Sequence, residues 1–163
     1  MFIDTHVHFD SFRDRAGISG VVSRAEAAGV ETMIAVGGNP DANAFAVSAA
    51  ADFPGRIYAA IGLDRDQAST DWSLEPCLRE MERTSVVAVG EIGLDYFVPG
   101  LDAERQLRFY REQLALARRF DLPVILHVRR SADQLLKVLR QVKVRGGIAH
   151  AFNGSLQQAQ AFV

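Results

Sequence analysis

One cysteine, Cys77, stands alone among 163 residues, so no internal disulfide can form and a reducing compartment is expected. Positive charge is not in excess: 18 Lys and Arg against 20 Asp and Glu leave a net charge of −2. That excludes holding a polyanion on a broad cationic surface. No run approaches the roughly 18 apolar residues of a membrane span. The first residues carry Asp4, His6, His8 and Asp10 where a secretory leader has basic residues and then an apolar run. Low-complexity tracts, charge blocks and Gly/Ser linkers are missing too. What remains is 48% hydrophobic and 23% charged. Those values describe one globular domain over residues 1–163, of cytoplasmic type and with no membrane partner.

Two hydrophobic periods alternate along the chain. Short apolar runs start near Phe2, Thr32, Ile57, Val86, Val124 and Ile148, each bounded by Gly, Pro or Asp, the pattern of buried parallel strands. Between them lie stripes at helical spacing: Val21, Val22, Ala25 and Ala28; Leu74, Leu78 and Met81; Leu107, Tyr110, Leu114 and Ala117; Leu135, Val138, Leu139 and Val142. Asn39, Asp102 and Ser131 stand where helix caps belong. Residues 93–101, with Asp95, Tyr96 and Phe97, form the longest irregular stretch and follow a strand, a common setting for function.

Strand starts recur every ~29 residues, so a closed eight-unit barrel would take about 230 residues. The chain reaches a sixth helix near Ser155. The expected fold is therefore α/β, a partial TIM-type (β/α) barrel of about six βα units with strands seven and eight absent. Inward side chains such as Phe2, Ile34 and Val124 then lack the layers those strands would pack on them. Self-association is the expected means of covering them.

The four histidines, His6, His8, His127 and His150, all end predicted strands, and Glu91 ends another. C-terminal strand ends form the functional face of parallel α/β folds. His6 and His8 are two apart on one strand, so both imidazoles leave the same side. Imidazole suits zinc, manganese or iron, and a carboxylate can bridge two cations. Four histidines and a carboxylate gathered at strand ends would be costly to bury without a cation or a proton, so the group reads as a metal site. Glu91 lies between Gly90 and Gly93, which would let the backbone approach a ligand. Arg129, at the rim two residues after His127, suits an anionic group; Arg130 follows it.

These residues resemble the TatD family of metal-dependent deoxyribonucleases, within the amidohydrolase-like metallo-dependent hydrolases. The segments that carry the resemblance are Ile3-Asp4-Thr5-His6-Val7-His8, Gly90-Glu91-Ile92-Gly93-Leu94-Asp95-Tyr96, Leu122-Pro123-Val124-Ile125-Leu126-His127-Val128-Arg129 and His150-Ala151-Phe152-Asn153-Gly154. Gln106, Phe109, Gln113, Leu114 and Ala117 fit a helix signature of the same family. The resemblance implies a 3′–5′ exonuclease-like activity on DNA. His6 and His8 would bind one divalent ion and His127 and His150 a second, with Glu91 bridging as the catalytic carboxylate and Asp95 and Arg129 meeting substrate. Zinc, magnesium or manganese would serve, two ions per complete site.

Two departures from the family pattern stand out. Asp64 replaces a histidine expected near the substrate phosphate, placing an anion where one would repel it. No residue here supplies the family's eighth-strand aspartate, so fewer than two ions per chain and reduced activity are expected. Two other readings stay open at this level: hydrolysis of another ester, such as D-aminoacyl-tRNA, and a non-catalytic remnant that binds metal.

Overall fold

A computed structural model describes residues 1–12, 15–69 and 73–163. The strands are β1 (Phe2–Val7), β2 (Val30–Gly38), β3 (Ile57–Leu63), β4 (Val86–Asp95), β5 (Val124–Arg129) and β6 (Gly147–His150). The helices are α1 (Arg15–Ala27), α2 (Pro40–Asp52), α3 (Glu75–Glu80), α4 (Ala103–Arg119), α5 (Ala132–Leu139) and α6 (Leu156–Phe162). Every neighbouring pair of strands is parallel and the spatial order is β1-β2-β3-β4-β5-β6. Consecutive order without a switch point is the barrel pattern rather than the doubly wound one. Strands about 4.8 Å apart would set β1 and β6 roughly 24 Å from each other in a flat sheet. Instead His6 of β1 and His150 of β6 stack with ring centroids 3.5 Å apart, so the sheet curls into a nearly closed barrel. No helix among the described residues is long and apolar enough to cross a membrane.

Two apolar layers follow from the alternation of the strands. The larger lies between sheet and helices and holds Met33, Ala35, Ala59, Ile61, Val89, Ile92, Val124 and Leu126 against α1, α2, α4 and α5. The smaller, on the other face, holds Val36, Ala60, Ala88 and Ile125, with Ile34 packed on them. Val124 was expected to point inward. It lies 2% exposed in the sheet–helix layer, and its neighbour Ile125 takes the inner place. Ile34 does lie inside. Phe2, at the start of the edge strand, is 67% exposed.

The helix stripes land mostly as spaced. Leu114, Ala117, Leu135 and Val138 are fully buried, and Ile18 joins Val22 at the core of α1, where Ala28 stays exposed. Asn39 Oδ1 caps α2 by accepting from Ala42 N at 2.9 Å, and Asp102 caps α4 by accepting from Arg105 N at 3.0 Å. Ser131 does not cap α5. Its hydroxyl donates to Leu94 O at 2.6 Å and accepts from Arg129 N at 3.2 Å, tying β4 to the end of β5.

Three buried amides clamp the ends of β3 and β4. Gln113 accepts from Leu63 N at 2.6 Å and donates to Leu63 O at 2.8 Å. Gln106, two turns earlier on α4, does the same for Asp95 at 2.8 and 3.1 Å. Asn43 of α2 pairs in this way with Gly62. Each amide offers a donor and an acceptor to one residue's backbone, much as a neighbouring strand would.

Candidate metal centre

The residues of the centre come from four strand ends. His6 and His8 leave β1 on one side and their Nε2 atoms lie 3.1 Å apart. Glu91 sits above a bulge in β4: between Val89 and Ile92, three residues of β4 span what two residues of β5 span. The bulge aims its carboxylate across the face, with Oε2 3.5 Å from His6 Nε2 and 3.9 Å from His8 Nε2, and Oε1 2.7 Å from His127 Nδ1. His127 and His150 are register partners on β5 and β6. His150 stacks on His6 rather than reaching Glu91.

The two glycines beside Glu91 have a different use from the one expected. A Cβ on Gly90 would lie 2.7 Å from Ile125 Cβ, and one on Gly93, where φ is 147°, would overlap the carbonyl oxygen of His127. They let β4 lie against the backbone of β5, not against a ligand. Strand β4 accordingly continues through Asp95, because residues 93–95 pair with residues 127–129, and the irregular stretch starts later than the sequence suggests.

The donor set fits a divalent cation. One ligand atom each from His6, His8 and Glu91 lies within 4.8 Å of the other two, the only such group of three among the described residues. Two imidazole nitrogens and a carboxylate oxygen are ligands of zinc, manganese or iron type. His6 Nδ1 is buried with no hydrogen-bond partner among the described residues. Two facing Nε2 atoms can share one proton or one cation, and a cation can take the Glu91 oxygen as a third ligand. Burial alone would raise the pKa of Glu91; hydrogen bonds from His127 and His6 outweigh it and hold the carboxyl well below its usual range. Burial pulls His127 down, and the bond and charge of Glu91, helped by Asp95, bring it above its ordinary value. His150 is lowered, first by burial and then by the charge of His6.

Asp95 is 1% exposed. Its Oδ1 accepts from Phe97 N at 2.8 Å and Val98 N at 3.2 Å, and its Oδ2 lies 3.1 Å from His127 Nε2. Burial opposes its ionisation, but the amide of Phe97 and the ring of His127 lower its pKa on balance. Arg129 Nη1 stands 3.8 Å from Asp95 Oδ2, and Arg65 Nε stands 4.0 Å from it. Arg129 is 44% exposed, and its guanidinium lies 4.0 Å from the ring centre of Phe97. Asp64 shares Arg65 with Asp95, its Oδ2 lying 3.9 Å from Arg65 Nη1. Its Oδ1 accepts from Asp66 N and Gln67 N at 2.9 and 3.3 Å, capping the turn over Arg65–Ser69, while burial raises its pKa against the lowering charge of Arg65. Arg65 is the residue of that turn that reaches Asp95. Sequence reasoning passed over the roles of Asn43 and Ser131; an Asn within an alanine-rich helix was the available signal for the first.

The family model described as TatD related DNase matches residues 3–163. The chain belongs to that family. It is 44% identical over 167 residues to an uncharacterized metal-dependent hydrolase, YjjV, of Escherichia coli K12, covering 99% of this chain and 64% of that protein. It is 32% identical over 162 residues to the 3′-5′ ssDNA/RNA exonuclease TatD of Erwinia tasmaniensis, covering 96% and 60%. The crystal structure of the Escherichia coli YjjV protein superposes with a TM-score of 0.89 at 43% identity, over 99% of this chain and 64% of that one. A Saccharomyces cerevisiae amidohydrolase of unassigned function shares the fold at a TM-score of 0.73 and 18% identity. The chain thus spans a little under two thirds of the length of these relatives. The fold is of the TIM-barrel type, and the family is one of metal-dependent hydrolases.

Proposed function

We propose that the chain is a hydrolase domain that cleaves phosphodiester bonds of nucleic acid with bound divalent metal, a TatD-like 3′–5′ exonuclease acting on DNA. The observation that carries this reading is the convergence of His6, His8 and Glu91 on one point, with His127 on the other oxygen of Glu91. Nuclease names among the relatives favour it over hydrolysis of another ester. Zinc, magnesium or manganese, when bound, would supply activation of water and neutralisation of charge on the leaving oxygen.

The residues of the chain divide the remaining work. Glu91 offers one oxygen to the His6/His8 pair and one to His127, the position of a carboxylate that bridges two ions. His150, beside His127 in register but stacked on His6 here, would complete a second ligand set by turning toward His127. Asp95 holds Nε2 of His127, which leaves Nδ1 for the side of Glu91; both its oxygens have protein partners, so its part is to position that ring. Arg129, half-exposed at the rim and braced on Phe97, binds the phosphate.

The test is digestion of a 5′-labelled single-stranded oligonucleotide with added manganese or magnesium, set against EDTA. Stepwise, metal-dependent loss from the 3′ end is expected. Digestion that EDTA leaves unchanged, or none with either metal, would overturn the reading.

A further inference from the structure

Beside the metal centre lies a second feature that the ligands do not use. Between the β5–α5 and β6–α6 connections there is a cleft of about 550 Å³, lined among others by Tyr96, Arg130, Gln134, Asn153 and Gly154. Its mouth carries a stacked group. The guanidinium of Arg130 lies 4.6 Å from the ring centre of Phe97, and that of Arg129 lies 4.0 Å from the same ring. Stacking on an aromatic face fixes a guanidinium without using its hydrogen-bond donors, so both arginines are preorganised for an anion. Arg129 leans toward Asp95 and hence toward His127, whereas Arg130 lines the cleft. Among the described residues Arg130 makes no ion pair. The one acid of the cleft wall, Asp133, already accepts from Gln158 Nε2 at 2.8 Å. Tyr96 is 38% exposed, and its amide bonds to Arg129 O at 3.0 Å, which fastens this aromatic wall to β5.

Both cleft loops hold a non-glycine residue in the left-handed region, Arg130 at φ 53° and Ala151 at φ 50°. Such residues persist where the surroundings over-determine them, commonly at ligand sites. An aromatic wall, amide side chains able to meet a base edge, and two cations in sequence at the mouth match one ligand chemistry. That ligand is an unpaired nucleotide with the phosphates on either side of it. A paired base would have its edge already used and its faces covered by its neighbours.

We propose that this cleft is a nucleotide subsite: Arg129 and Arg130 take consecutive phosphates of a single strand, and the base between them enters against Tyr96. The proposal rests on the nuclease reading for its substrate class, yet it is tested by binding alone. In EDTA, where hydrolysis does not interfere, fluorescence anisotropy compares labelled oligodeoxythymidylate, an abasic strand of the same length and a blunt duplex. The wild-type chain should bind the thymidylate strand tightest. Arg130→Gln should weaken thymidylate and abasic strands alike, by about tenfold, and lower the salt dependence by about one phosphate contact. Tyr96→Leu should cost about tenfold on the thymidylate strand and nothing on the abasic one. Circular dichroism verifies folding, and the exposed Arg130 keeps the test alive should Tyr96→Leu fail to fold. Duplex bound as tightly as single strand, or Arg130→Gln binding both strands as the wild type does, overturns the subsite. Binding as expected, with no metal-dependent digestion, overturns the nuclease reading and leaves the subsite standing.

Discussion

Replacing Glu91 by Gln keeps the size of the side chain and removes its charge, at a position where charge and geometry can be separated. The carboxylate is 4% exposed and belongs to the one three-residue ligand group found among the described residues. Mutating a residue that merely hydrogen-bonds a metal ligand costs ~10–100-fold in affinity. Removing the only anionic ligand should cost at least ~100-fold, about 2.7 kcal/mol. The amide can still offer one oxygen, to either His127 or the His6/His8 pair but not to both. Metal-stripped protein titrated with zinc against a coloured chelator gives the affinity directly, and circular dichroism shows whether the variant folds. A separate cost falls on the metal-free chain, because His127 at 13% side-chain exposure loses its counter-charge at 2.7 Å. Breaking a buried pair in this way costs ~3 kcal/mol where both groups are charged. Equal zinc affinity in a folded Glu91→Gln chain would refute the assignment of Glu91 as a ligand.

Three further outcomes are expected. Asp95→Asn should lower kcat and metal affinity ~10–100-fold with KM little changed; a rise in KM alone would return Asp95 to the role of substrate contact. Without metal, Glu91 contributes stability above pH 4.5 that is lost as pH falls through its depressed value, and His127 contributes stability below pH 6.5 that is lost as pH rises through its raised one. His150, with its lowered value, acts the other way below pH 6.5, so the pair is read by difference. Urea midpoints of the metal-free chain minus those of a His127→Gln chain should be largest between pH 4.5 and 6.5, and a difference largest above pH 8 would contradict the ion pair. Gly93→Ala should destabilise by about 3 kcal/mol or more, since the added Cβ meets the carbonyl of His127, whereas Gly55→Ala, with open space around it, should cost ~1 kcal/mol; equal urea midpoints for the two would refute this packing.

Strand positions were legible because each strand is a short β-branched run between breakers, and Phe2, Ile57, Val86 and Val124 are indeed first residues of their strands. Consecutive strand order followed from the regular βα period. Facing was harder to read. In a fully buried strand both neighbours are apolar, so Val124 and Ile125 carry no alternation to say which looks inward. The bulge at Glu91 breaks the period of two by one residue, and only the pairing of residues 89–92 with β5 reveals it. The histidines declared themselves through their places at strand ends. The amide clamps of Gln106, Gln113 and Asn43 did not, since a buried Gln on an otherwise apolar helix face looks like any polar residue until its strand partner is known.

Charge bears on how a chain with a net charge of −2 would meet the polyanion proposed as its substrate, and at which edge of the barrel. At the end of β3 the arginine is spent: Arg65 lies within 4.0 Å of carboxylate oxygens of Asp64, Asp66 and Asp95. Asp64 gives one oxygen to backbone amides and the other to Arg65, so this edge carries no surplus positive charge. At the end of β5 the balance is opposite. Arg129 and Arg130 have one carboxylate between them, that of Asp95, and it is already bonded to His127 and two backbone amides. Exposed charges far apart are screened from one another in water, so the weight falls on the guanidiniums nearest the centre. Among the described residues, a phosphate approaching the metal centre therefore meets surplus positive charge from the β5 side. That asymmetry would set the direction of a bound strand across the mouth of the barrel, from Arg129 beside His127 outward past Arg130.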